Sequence, residues 1–168
     1  MARGHRRMAY VGFAVSEGAA EQWSETRRES VAGALQAKGL GLGRTFLMGP
    51  EERLGSFADE EYWRGQDRPT AVICANDPAA MSLMTRLHAW GVRVPKDVSV
   101  TGFDNIPASG AEADLTTFTI QEHRVAEAIL SLAQRRVQGD TSLGDAVRIA
   151  LRPVLVPRGS WQKVEGDA

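Results

Sequence analysis

Short apolar runs alternate along this chain with stretches of helical periodicity, and that alternation restricts the fold more than any other feature. The apolar runs are Met8 to Phe13, Ala71 to Ala75 and Val98 to Phe103, with a weaker one at Arg44 to Met48 and a last one at Arg148 to Val156. Ala71 to Ala75 is apolar on both alternating faces, as expected of a strand covered on both sides by helices. Pro153 lies inside the last run, and a residue without a backbone donor belongs at a sheet edge or a break. Between the runs, helices are predicted at Glu21 to Lys38, Ser56 to Arg64, Asp77 to Trp90 and Glu122 to Gln138. Strand–helix–strand alternation predicts an α/β fold: a parallel sheet with right-handed crossovers, flanked by helices.

Composition narrows the function classes. The chain has 168 residues, a formal net charge of -1 and one cysteine. One or two small lobes fit that length. A near-zero charge argues against a chain built to neutralise phosphates itself. A single cysteine excludes a disulfide framework, and Cys74 reads as a small packed side chain inside a strand. No run approaches the ~18 apolar residues of a membrane helix. Arg3, Arg6 and Arg7 precede the apolar stretch from Met8 to Val15, but that stretch is short, holds Gly12 and meets Glu17, so it reads as a strand rather than a secretory leader. A cytoplasmic protein without membrane contact is expected.

In open parallel sheets, ligands bind beyond the carboxyl ends of the strands. Ser16 and Glu17 follow the first run, Asn76 and Asp77 the third, and Asp104 and Asn105 the fourth. Asp and Asn side chains supply the acceptors and donors that a hydroxyl- or amide-bearing small molecule needs. Each also has a structural reading: Asp77, before Pro78, reads first as a helix cap, and Asp104 and Asn105 as turn chemistry. Glycine-rich phosphate loops, a Gly-x-Ser-x-Gly elbow and metal-ligand His spacing are absent from the sequence, so no cofactor and no metal are expected. The three histidines, His5, His88 and His123, read as packing or solvated residues.

The stretch Arg68-Pro69-Thr70-Ala71-Val72-Ile73-Cys74-Ala75-Asn76-Asp77, followed by Gly91-Val92-Arg93-Val94-Pro95-Lys96-Asp97-Val98-Ser99-Val100-Thr101-Gly102-Phe103-Asp104-Asn105, closely resembles bacterial transcription regulators of the lac repressor/galactose repressor family. Gly4 to Gly12, Leu115-Thr116-Thr117 and Leu151 to Ser160 resemble the same family's other landmarks, in the same order. The resemblance implies an N-terminal helix-turn-helix headpiece followed by two lobes like those of periplasmic sugar-binding proteins, with an effector bound between them. Residues 1–160 would then be a partial effector-binding domain, mainly the second lobe, and 161–168 a tail. About 117–143 would cross toward a first lobe that this chain lacks. The headpiece is also absent, so DNA would be met only through that missing part.

The resemblance further implies which residues meet the effector. Arg27 matches an Arg that clamps polar effector groups, with Arg28 as its rival; Asn76 and Asp104 match two further contacts, and Ser16 lies in a loop that faces the cleft. Pro50 stands where relatives often carry an aromatic that stacks on the effector, which points to a smaller or more polar molecule than a standard sugar. A sugar-like or nucleobase-like effector and a homodimer are expected. Met81, Met84 and Ile106 fall in the segments through which the family pairs, although Met81 and Met84 equally suit the chain's own core. With one wall of the cleft, the chain alone should bind in the millimolar range or weaker, near ~-4 kcal/mol. A periplasmic-type sugar receptor is the first alternative, a doubly wound enzyme the second, and a pure interaction module the third.

Overall fold

A computed structural model describes residues 4–14, 22–48, 59–140 and 147–164. The elements are β1 (Met8–Phe13), α1 (Gln22–Gln36), β2 (Thr45–Met48), α2 (Glu60–Arg64), β3 (Ala71–Cys74), α3 (Asp77–Ala89), β4 (Ser99–Thr101), β5 (Thr117–Thr119), α4 (Glu122–Val137) and β6 (Val154–Val156). β1 to β4 form one sheet in the order β2-β1-β3-β4. Every pair in it is parallel, with Tyr10 opposite Thr45, Met8 opposite Ala71 and Ala71 opposite Ser99. The predicted parallel, helix-flanked sheet is therefore the observed one.

The near-continuous apolar strands follow from burial on both faces. Ala9, Val11, Val72, Cys74 and Val100 pack in the core with Leu83 and Leu87 of α3 and with Trp63, while Met8 and Ala71 pack with Leu35 of α1 on the other face. Cys74 is 3% exposed, and burial pushes its thiol well above the ordinary range, so it is a packed side chain and not a nucleophile.

Three expectations need correction. Asp77 is not the cap of α3: Asn76, with extended backbone, accepts the Ala79 N–H at 3.0 Å, and Asp77 is the first helical residue, turned inward. The strand expected through Phe103 stops at Thr101, because the backbone beyond it serves other partners. Phe103 C=O accepts the Asp77 N–H, Thr116 C=O accepts the Gly102 N–H, and Phe118 C=O accepts the Asp104 N–H. The last run is a strand only at Val154–Val156, directly after Pro153, and it pairs antiparallel with β5 in a separate ribbon.

That ribbon is laced to the lobe by buried hydroxyls. The Thr116 N–H donates to Ser160 Oγ at 2.7 Å, and the Ser160 hydroxyl donates to Val100 C=O at 2.7 Å. Thr116 Oγ1 donates to Arg158 C=O and accepts the Arg158 N–H, both at 2.9 Å. α4 carries no buried residue, and its Ile129, Leu130 and Val137 are exposed.

His5 is 3% exposed, with Nδ1 3.0 Å from Thr70 Oγ1 and Nε2 3.0 Å from Gln162 C=O. It joins the segment before β1 to the segment after β6. Burial lowers its pKa from the ordinary value. The unfolded chain therefore takes up the proton at higher pH than the folded one. Stability should be fully present above about pH 6.5 and fall as pH drops through the lower folded pKa. Urea midpoints measured between about pH 7.5 and about pH 5.5 should decline in the native chain and stay flatter in His5→Gln, and equal slopes would exclude His5 as the source.

Candidate ligand-binding site

The carboxyl ends of β3 and β4 bring Arg27 and Asp104 together, with Asn76 next to Ala75, whose carbonyl Arg27 also meets. α1 is pinned above β1 by Ser24, which is 1% exposed: its Oγ accepts the Phe13 N–H at 3.0 Å, and its carbonyl accepts the Tyr10 hydroxyl at 2.9 Å. Gly12 makes this approach possible, since a Cβ there would lie 2.6 Å from Ser24 Oγ and from Tyr10 Cε1.

Arg27 stands one turn after Ser24, over the end of β3. Its Nη1 donates to Ala75 C=O, and its Nη2 lies 3.7 Å from a carboxylate oxygen of Asp104. Its guanidinium carbon is 3.8 Å from the centre of the Phe103 ring and 4.8 Å from that of Trp23. A guanidinium held by two ring faces, a carbonyl and a carboxylate has few accessible rotamers, so its remaining N–H groups are pre-oriented. Arg28, the rival, pairs bidentately with Glu25 one turn back on the helix surface. The arrangement separates the two: Arg27 faces the strand ends and Arg28 does not.

Asp104 sits at φ 112° and Asn105 at φ 56°, in the left-handed region that side chains other than glycine rarely adopt. The turn is held from several sides. The Asp104 N–H donates to Phe118 C=O at 2.8 Å, Asn105 Oδ1 accepts from Arg158 Nη2 at 2.7 Å, and Arg158 Nη1 donates to Leu115 C=O at 2.7 Å. Burial raises the Asp104 pKa, opposed by the nearby Arg27 and reinforced by Asp77. A non-glycine residue held at positive φ, with its carboxylate beside the Arg27 guanidinium, makes a candidate functional position. Asn76 stands next to Ala75, whose carbonyl holds Arg27. Its side-chain oxygen is spent on the cap, which leaves the amide N–H groups for a ligand.

Ser16 and Pro50 lie outside the described residues. Met84 is 8% exposed and belongs to the chain's own core, Met81 is half-buried against that core, and Ile106 is 39% exposed. Met84, facing inward from the helix, is therefore taken up by packing.

Sequence reasoning missed two residues here. Asp77 is 1% exposed; its carboxylate accepts the Ile106 N–H at 2.9 Å and the Thr117 hydroxyl at 2.5 Å, fixing the turn that carries Asp104. Trp23 was legible in principle, because residues four apart share a helix face and Trp23 precedes Arg27 by four.

The model of the periplasmic binding protein-like domain matches residues 1–161. The HTH-type transcriptional repressor PurR of Vibrio vulnificus is 38% identical over 100 residues, covering 59% of this chain and 29% of the relative. The repressor of the same name from Mannheimia succiniciproducens is 30% identical over 169 residues, covering 96% of this chain and 47% of the relative. The chain thus spans less than half the length of these relatives. Among solved structures, a LacI transcriptional regulator from a Rhodococcus species superimposes with a TM-score of 0.75 at 28% identity, over 96% of this chain and 58% of the other. The lac repressor bound to ONPG in its repressed state superimposes with a TM-score of 0.74 at 21% identity, over 94% of this chain and 46% of the other, a likeness of fold alone.

Proposed function

The chain belongs to the periplasmic binding protein-like domain family as found in lac-repressor-type regulators, and from that premise we propose that it is the effector-binding and dimerisation portion of a bacterial transcriptional regulator. Its ligand is a small polar effector, sugar-like or nucleobase-like, and its work is binding, not chemistry. The observation that carries this reading is the Arg27–Asp104 pair, built over the carboxyl ends of a parallel sheet with a strained turn supporting one partner. An effector that meets these groups better in one lobe arrangement than in another shifts the balance between them, and with it the DNA affinity of a helix-turn-helix outside this chain. The site of action is the cytoplasm, where the DNA is.

The crossing segment of about residues 117–143 fits the same reading. α4 leaves Ile129, Leu130 and Val137 uncovered, a surface suited to a first lobe supplied by the rest of the regulator. Assembly uses α3's outer side and the loop that follows Asn105. Met81→Glu or Ile106→Glu should weaken self-association at least about tenfold in sedimentation at micromolar concentration, about 1.4 kcal/mol. Met84→Glu should instead lower the unfolding midpoint, because it buries a charge in the monomer. A native chain that stays monomeric in the full regulator would refute this interface.

A thermal-shift screen of sugars, polyols and nucleobases on the full regulator tests the site. A ligand present at ten times its dissociation constant should stabilise by about 1.4 kcal/mol. Asp104→Ala and Arg27→Ala should each abolish that shift and leave the unliganded midpoint near its starting value. A shift that survives both substitutions would place the effector elsewhere.

A further inference from the structure

A cavity of about 460 Å³ opens at the amino ends of β3 and β4, the end of the sheet opposite the Arg27–Asp104 pair. Its walls come from four stretches far apart in the chain, at His5, Arg68, Lys96 and Lys163. These stretches are tied to one another. His5 lies 3.0 Å from Thr70 Oγ1 and 3.0 Å from the Gln162 carbonyl oxygen. Gln162 Nε2 donates to Lys96 C=O at 3.2 Å, and the Gln162 N–H donates to Ser99 Oγ at 3.2 Å. The shape is thus fixed by the fold before a ligand arrives.

The charge of this cavity is one-sided, in a chain whose formal net charge is -1. Arg68, Lys96 and Lys163 line it, and Asp97 is the acid among the lining residues. Arg93 already saturates that acid. Its Nε and Nη2 reach the two carboxylate oxygens at 2.7 and 2.8 Å, and its backbone N–H adds a third bond at 2.9 Å. Arg68 is left short. Its Nη1 donates to Gly65 C=O at 2.8 Å, but its Nη2 stands 3.7 Å from Asp97, beyond hydrogen-bond reach. Its buried Nε has no acceptor among the described residues. Nε and Nη2 form the edge with which a guanidinium grips an oxyanion through two parallel bonds. A buried donor without an acceptor is costly, and an anion entering the cavity would meet it.

We propose that this cavity is a second ligand site, and that it takes the phosphate group of a small phosphate monoester. A tetrahedral dianion suits one guanidinium fork and two ammonium groups better than a singly charged carboxylate does. The volume exceeds what phosphate alone fills, and Pro95 and Val164 give the organic remainder an apolar wall. The site does not depend on the effector reading. It lies at the other end of the same sheet, so both ligands can be bound at once.

The test is calorimetric titration of the full chain with glycerol 3-phosphate and with acetate, at one fixed ionic strength. At about pH 8 the monoester is a dianion, its second pKa being about 6. Glycerol 3-phosphate should bind with a dissociation constant of about 1 mM or tighter, and acetate at least about tenfold more weakly. Lys96→Gln combined with Lys163→Gln should weaken the monoester at least about tenfold. Both lysines are exposed, so the double variant should keep its unfolding midpoint. Arg68→Lys keeps the charge but loses the fork, and should weaken binding by at least about threefold. No binding at tens of millimolar would overturn the site. So would an affinity unchanged in both the double variant and Arg68→Lys. Acetate binding as tightly as the monoester would overturn the assignment to phosphate. Loss of binding in Arg27→Ala, with full binding in the double variant, would put the anion at the opposite end of the sheet and overturn the proposal.

Discussion

Replacing Asp77 with alanine should lower the stability of this domain by about 3 kcal/mol, because it strands the buried Thr117 hydroxyl and the partly buried Ile106 N–H at once. The Ile106 N–H and the Thr117 hydroxyl both donate to this carboxylate, and Asp77 and Thr117 are buried. The surroundings are closed as well as paired. A Cβ built on Gly102 would come within 2.2 Å of Asp77 Oδ1 and 3.2 Å of Asp77 Cα, so there is no room for a rearranged side chain. Asp77→Asn keeps one acceptor oxygen and should cost less than alanine. The measurement is a urea midpoint at constant slope. The same substitution should also blunt the effector response at temperatures where the chain is still folded, since Asp77 ties Ile106 and Thr117 to the base of the turn that presents Asp104. A midpoint unchanged in Asp77→Ala would mean that this buried cluster does not hold the lobe together.

Trp63→Ala should be as damaging, at about 3–5 kcal/mol, the usual cost of emptying a large aromatic site. Trp63 is fully buried, stacked on Phe46 at 5.1 Å and edge-on to Tyr62 at 5.6 Å. Within α2, Glu60–Arg64, Trp63 is the buried residue. The indole carries a penalty of its own: Nε1 is buried with no acceptor among the described residues. Trp63→Phe removes that orphaned donor together with part of the ring and should cost no more than about 1.5 kcal/mol. Calorimetric midpoints of the two variants decide the matter, and equal losses would show that a phenyl ring recovers none of the packing that the indole supplies.

The strand and helix pattern was legible because it is local. Val11 and Val72 announce buried strands by being apolar among apolar neighbours, and Gly39 and Gly91 mark the ends of helical stretches; both take positive φ in the structure, at 70° and 72°. The end of β4 was not legible, because nothing in Val98 to Phe103 says that Thr116 and Phe118 will take the hydrogen bonds beyond Thr101. The same holds for Asp77. Beside Pro78 it has the local signature of a cap, and only the approach of Ile106 and Thr117, 29 and 40 residues away, gives its carboxylate a different task.

Residue types and spacings alone therefore determined an α/β chain with parallel strands, a family, and a short list of polar residues at strand ends, since each of these depends on periodicities and motifs within a dozen neighbouring residues. The choice of Arg27 over Arg28 came from folding. Both follow Ser24 on α1, and a rotation of about 100° per residue sends one toward Ala75 and Asp104 and the other toward Glu25 at the surface. Met84 went inward and Trp23 stayed partly exposed beside Arg27 for the same reason. Which face of a helix meets the sheet is settled by packing between elements far apart in the chain, and no local pattern of one helix contains that information.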